Sequence, residues 1–137
     1  MTTHVKFTVT HYRRPEHTHE SFMKWLVEEH IPLAIPVFKR HGVIDYSLFV
    51  TPADLNAALK ANMGGHRAAW DVADFDCFIE YTLEKVENIA EILSDPDWAK
   101  SIEHQDDWVD SSKALMSVGY ITSYLQQSGA AVNVPSM

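Results

Sequence analysis

The 137-residue chain predicts a single α+β domain built on a four-stranded antiparallel sheet with helices on one face. Three observations lead there. Some segments alternate apolar and polar residues, as strands do; others repeat apolar residues every three or four positions, as helices do. The two kinds follow one another as strand, long helix, strand, insert, strand, helix, strand. That order is the split βαβ arrangement of a ferredoxin-like domain, in which the helices cover only one side of the sheet.

Residues 4–12, HVKFTVTHY, place Val5, Phe7, Val9 and His11 on one side and Lys6, Thr8, Thr10 and Tyr12 on the other, so a first strand is expected there. After a turn at Pro15, Thr18 is suited to cap a helix that carries Phe22, Trp25, Leu26 and Leu33 at helical spacing. Pro32 should kink or divide this helix, because proline has no N–H and its ring clashes with the preceding turn. Gly42 is placed to end it as a C-terminal cap, and GVIDYSLFV reads as the second strand. The insert 52–74 begins with the short helix PADLNAALKA and passes through Gly64–Gly65. A third strand is expected at 75–83, a helix at VENIAEIL, a further helix over roughly 97–115, and a fourth strand at SVGYITSYL. The domain is thus assigned to residues 1–125, and residues 126–137 to a C-terminal tail that is loosely held or reaches over a neighbour.

Composition narrows the function classes. No run of about 18 apolar residues occurs, so no membrane partner is expected. The net charge of −8 would repel a polyanion, and the eleven Lys and Arg residues form no stripe, which argues against nucleic acid. The one cysteine, Cys77, lies in an apolar run and reads as a buried thiol, consistent with a reducing, cytoplasmic setting. His17-x-His19 lacks a third ligand at recognisable spacing, and Gly64–Gly65 lacks the glycines and lysine of a phosphate loop, so neither a metal nor a nucleotide cofactor is expected. The uncovered sheet face would carry Phe78 beside Thr8, Thr10 and Glu80, and a second copy of the chain covering it predicts a homodimer.

The segment RRPEHTHESFMKWLVEEHIPLA resembles the EthD branch of the dimeric α/β-barrel superfamily through Arg14, Thr18, Phe22, Trp25, His30, Pro32 and Leu33. The segment from Trp70 to Leu125 is similar to a fungal subgroup of that family, decarboxylases of anthraquinone and xanthone polyketide pathways, through Asp95–Trp98 and Asp107–Ser111. Together the two blocks span more than half the chain. The resemblance implies cofactor-independent chemistry on an aromatic polyketide carboxylic acid. A cofactor-free anthrone monooxygenase, a polyketide cyclase or dehydratase, and a carrier for an apolar aromatic molecule stand as alternatives. Pro-Glu-His-Thr replaces the Pro-Gly of many relatives after Arg14, so no role is carried onto His17 or His19.

Eight histidines supply the side chains able to exchange protons near neutrality. His30 lies on the helix face of Met23, Leu26 and Val27. It either bonds to carbonyls that Pro32 leaves free or serves as an acid–base group. His104 has Asp107 three positions on, a carboxylate able to orient its ring, although an acidic helix face with one histidine is also what a solvated face looks like. His30 and His104 are therefore expected to be the acid–base pair, with Asp107 as orienter and His11, at the end of the first strand, as an assisting donor. Tyr46, His66, Trp70, Phe22 and Trp98 are expected to line a substrate cleft of aromatic character.

Overall fold

A computed structural model describes residues 4–63, 65–66 and 70–135; Gly64 lies outside the described residues. Four strands, β1 (His4–His11), β2 (Val43–Val50), β3 (Cys77–Leu83) and β4 (Leu115–Ile121), form one antiparallel sheet in the order β2-β3-β1-β4. With helices on one side, this is the expected ferredoxin-like architecture. The register pairs Phe7 with Tyr81, Val9 with Ile79 and His11 with Cys77, so these side chains point to the same face.

Helix α1 (His19–Trp25) opens on Thr18, whose hydroxyl accepts the Ser21 N–H at 3.1 Å. Pro32 does divide the long helix, by a particular device. Residues Leu26–His30 form a π-helical turn, the Ile31 N–H bonds back to the Leu26 carbonyl, and α2 (Ile31–Arg40) resumes with Pro32 in its first turn. A π turn moves the donor-free position to where a helix start tolerates it. Gly42 sits at φ +76° just beyond α2, and a Cβ there would lie 2.8 Å from the Asn88 side chain, so both conformation and space call for glycine.

The core lies between sheet and helices. Phe22, Trp25, Leu26, Ala34, Val37 and Phe38 come from the helical side, and Cys77, Ile79, Tyr81 and Leu83 from alternate positions of β3. Each such large side chain is worth roughly 1.5–3 kcal/mol on burial. Cys77 is buried as expected, and burial pushes its thiol up to about 12.

Several boundaries differ from the sequence expectation. β3 starts at Cys77 rather than Phe75, and the insert helix, α3, runs over Ala53–Met63. After α4 (Glu87–Leu93), the single helix expected over 97–115 is two short ones, α5 (Pro96–Ser101) and α6 (Gln105–Trp108). Two causes are visible. The Ser101 hydroxyl donates to the Trp98 carbonyl at 2.7 Å, competing with the helical pattern. The backbone beyond α6 is then drawn off to pair with the extension of β1: Arg14 N–H donates to Trp108 O and Asp110 N–H to Tyr12 O, both at 2.8 Å. That frees Leu115 to begin β4, which ends at Ile121 rather than Leu125. Leu125 instead bridges Ala131 across a turn in the C-terminal segment.

Candidate active site

A cleft of about 240 Å³ opens between the sheet and the helices. The sheet contributes Phe7, Val9, His11, Tyr81, Leu83 and Met116; the helical side contributes His30 and Phe38, then Ile89, Ile92 and Leu93, then Trp98 and Gln105. Among the described residues, none that lines it carries a fixed charge. The wall is largely aliphatic and aromatic, the make-up of a small-molecule site with few polar groups.

The two histidines are the chemically distinctive part. His11 and His30 are each only 6% exposed. His30 Nδ1 lies 2.9 Å from the Ser101 carbonyl. A carbonyl only accepts, so Nδ1 carries the proton, and in the neutral ring Nε2 holds the lone pair. The ring is stacked on Trp25 with centroids 5.7 Å apart and meets the edge of Trp98 at 6.0 Å. Trp25 in turn stacks on Trp108, and Trp108 on His17, so a row of rings backs His30 from the surface inward. Burial lowers the pKa of His30, against the opposing effect of the Ser101 bond.

His11 is lowered further, to about 4, first by desolvation and then by the nearby His30. Its Nδ1 is buried without a hydrogen-bond partner. An unsatisfied buried polar atom costs about 1–3 kcal/mol, and one retained in a cleft beside a second neutral histidine is a candidate functional group. Both rings are therefore held neutral at physiological pH.

The expected partners of these histidines are placed differently. The ring of His30 is oriented by Ser101, 71 residues away, and not by carbonyls freed at Pro32. His104 and Asp107 do approach each other, at 3.7 Å, but their side chains are 71% and 74% exposed and neither lines the cleft. The expected pairing of His30 with His104 is thus replaced by the juxtaposition of His30 with His11. The break between the two short helices accounts for it: α5 ends at Ser101, residues 102–104 form a turn that carries the exposed His104, and Gln105 opens α6 back at the cleft wall. Gln105 was missed by sequence reasoning, because the turn at 102–104 that directs it to the cleft leaves no trace in helical spacing.

Of the expected substrate-lining residues, Trp98 lines the cleft. Phe22 is fully buried in the core beneath it. Tyr46 packs between Phe38 and Tyr81, behind the cleft wall, with its hydroxyl buried and unpartnered and its pKa raised by that burial. His66 and Trp70 are exposed in the insert, away from the cleft. His19, to which no role was given, bonds through Nδ1 to Asp76 at 2.8 Å. Burial alone would raise the Asp76 carboxyl, but bonds from the Arg13 N–H, His19 and the Arg13 guanidinium hold it below its usual value. That cluster ties the end of β1 to the start of β3, one residue from the Cys77–His11 pair. Among the described residues, no group of three or more His, Cys, Asp or Glu side chains is placed to hold a metal ion, and no helix is long and apolar enough to cross a membrane.

Comparison with known proteins agrees with this architecture. Dehydratase iacD of Pestalotiopsis fici is 30% identical over 131 residues, covering 96% of this chain and 94% of that protein. A protein of Emericella nidulans named decarboxylase is 23% identical, over 88% of this chain and 78% of its own length. A crystal structure from Bacteroides fragilis, described as a dimeric protein of unknown function with a ferredoxin-like fold, superposes with a TM-score of 0.59 at 6% identity, covering 88% of this chain and 98% of that one. The model of the EthD domain matches residues 14–112. The chain therefore belongs to the EthD family.

Proposed function

We propose that the protein is a lyase that eliminates water from a neutral aromatic polyketide by acid–base chemistry needing no cofactor. The observation that carries this reading is the pair of buried, neutral histidines in a cleft whose described lining holds no fixed charge. His30 Nε2 removes a proton from carbon beside a substrate carbonyl, and the C–H electron pair moves onto the carbonyl oxygen. Collapse of that enolate breaks the neighbouring C–O bond, and the proton held on His30 passes to the departing hydroxyl, which leaves as water. His11 stays neutral and offers its ring to a substrate oxygen. A base of this kind contributes about 10²–10⁴-fold. The name of the relative at 30% identity supports the same reaction class.

Decarboxylation is the second reading, favoured by the names of relatives at 21–24% identity. In that case the apolar wall strips water from the substrate carboxylate, and His11 or His30 donates a proton as carbon dioxide leaves. The cleft offers such a carboxylate no lysine or arginine, which is why dehydration is preferred here. Incubating the protein with a β-hydroxy ketone polycycle and with its carboxylated counterpart separates the two by water loss or carbon dioxide release. Turnover of neither compound would refute both.

The working unit is proposed to be a homodimer. All seven residues of the edge strand β4 are exposed: Met116, Val118 and Tyr120 lie on the side of Val5, Phe7 and Val9, and Leu115 lies on the open face, where Phe49, Phe75, Phe78 and Glu80 line a hollow. An exposed apolar surface of that extent marks an interface. Sedimentation at about twice 15.6 kDa is the expected result; a monomer at micromolar concentration would refute it.

A further inference from the structure

We propose that Gln105 binds the substrate oxygen on which negative charge develops, a role that deepens the acid–base reading above and rests on it. Apart from the two histidines, polar atoms at the cleft come from the Tyr81 phenol, the Trp98 indole and the Gln105 amide. None of these three polar groups has a side-chain hydrogen bond among the described residues, and Gln105 differs from Tyr81 in being less deeply packed. Its ring-free side chain is half-buried at the cleft wall, and among the described residues its amide has no hydrogen-bond partner. Its backbone is fixed: the Gln105 N–H donates to Ile102 O at 3.0 Å, and its carbonyl accepts the Val109 N–H at 2.8 Å. Tyr81, in contrast, is locked in the core between Phe7, Phe38 and Tyr46.

Placement on the chain strengthens the assignment. The carbonyl of Ser101 orients His30, and Gln105 opens the next helix four residues later. Trp98, one turn before Ser101, presents its edge to His30. One short segment therefore sets the base, an aromatic wall and an uncommitted amide together. When His30 takes the proton, the enolate oxygen gains charge in a cleft whose described lining holds no lysine or arginine to bind it. An amide N–H aimed at that oxygen stabilises the enolate more than the ketone, which raises kcat more than it tightens binding. A lysine or arginine there would oppose the positive charge that His30 gains on taking the proton, whereas a glutamine stabilises the oxygen without that repulsion.

Gln105→Met keeps the length and removes the amide. The expected result is a kcat lower by on the order of 10²-fold, with KM within a few-fold of the parent. Gln105→Asn, which keeps the donor, should recover part of that loss. A second measurement needs no turnover: fluorenone, a neutral tricyclic aromatic ketone, is bound to the protein and its carbonyl stretch followed by infrared difference spectroscopy. A downshift in the parent that is lost in Gln105→Met and kept in Tyr81→Phe supports the assignment. A downshift lost in Tyr81→Phe and kept in Gln105→Met overturns it, as does an unchanged kcat in Gln105→Met. Absence of elimination alongside a Gln105-dependent downshift would break the dehydratase reading and leave the oxygen-binding role standing.

Discussion

The molecule holds two histidine pairs that look similar on paper and differ in every physical respect. His104 has a carboxylate three residues away, yet both side chains stand mostly in water, where an ion pair is worth little. The rings of His11 and His30 bond to no carboxylate among the described residues, and they lie 19 positions apart in the chain, on a strand and on a helix. Burial lowers both, the nearby His30 lowers His11 further, and an apolar cleft surrounds them. The difference teaches that desolvation, set by packing, perturbs a histidine in ways that a nearby carboxylate in the chain does not announce.

The sharpest way to break this comparison is replacement of His30. Glutamine still offers a donor to the Ser101 carbonyl but supplies no base. His30→Gln should therefore lower the elimination rate by about 10²–10⁴-fold while the melt stays cooperative. A variant within a few-fold of the parent would remove His30 from the chemistry.

Acid stability is the next largest effect. The folded-state pKa of His11 is depressed from 6.5 to about 4, so between those values the unfolded chain binds more protons than the folded one. Stability is then complete above about pH 6.5 and is lost as pH falls toward 4, by roughly 3 kcal/mol from this residue alone at 1.36 kcal/mol per pH unit. His30 adds a loss of the same sign. His11→Phe, which fills the same apolar position without a titrating group, should flatten the denaturant midpoint measured across that window. An equal pH slope in parent and variant would show that His11 is not held neutral.

The smallest effect is expected at the exposed pair. His104→Ala and Asp107→Asn should each leave kcat/KM within about twofold, and stability within roughly 0.5 kcal/mol, as for surface substitutions away from special features. A tenfold loss of activity with an unchanged melt would restore His104 to the site and show that the functional cleft extends beyond the residues that line it in one subunit.

Much of the frame was legible in the residues themselves. Alternation in HVKFTVTHY set which side of β1 meets the helices, and it put His11 on that side. Thr18, Pro32 and Gly42 announced a cap, a break and a stop by their own backbone chemistry, and each acts at its expected place. These are local properties, decided within a few residues. The misread stretch 97–115 failed for the opposite reason: its helical propensity is overridden by pairing with Tyr12 and Arg14, which lie about a hundred residues earlier.

The site divides in the same way. Sequence by itself determined that His30 lies on a core-facing helix and that His11 ends a strand on the covered side, because periodicity reports direction. Only the tertiary structure decided that Ser101 holds His30, that His11 lies beside it, and that Gln105 rather than His104 reaches the cleft. Those contacts join segments far apart in the chain, and the desolvation that tunes both rings is a property of everything packed around them, which no spacing between residues encodes.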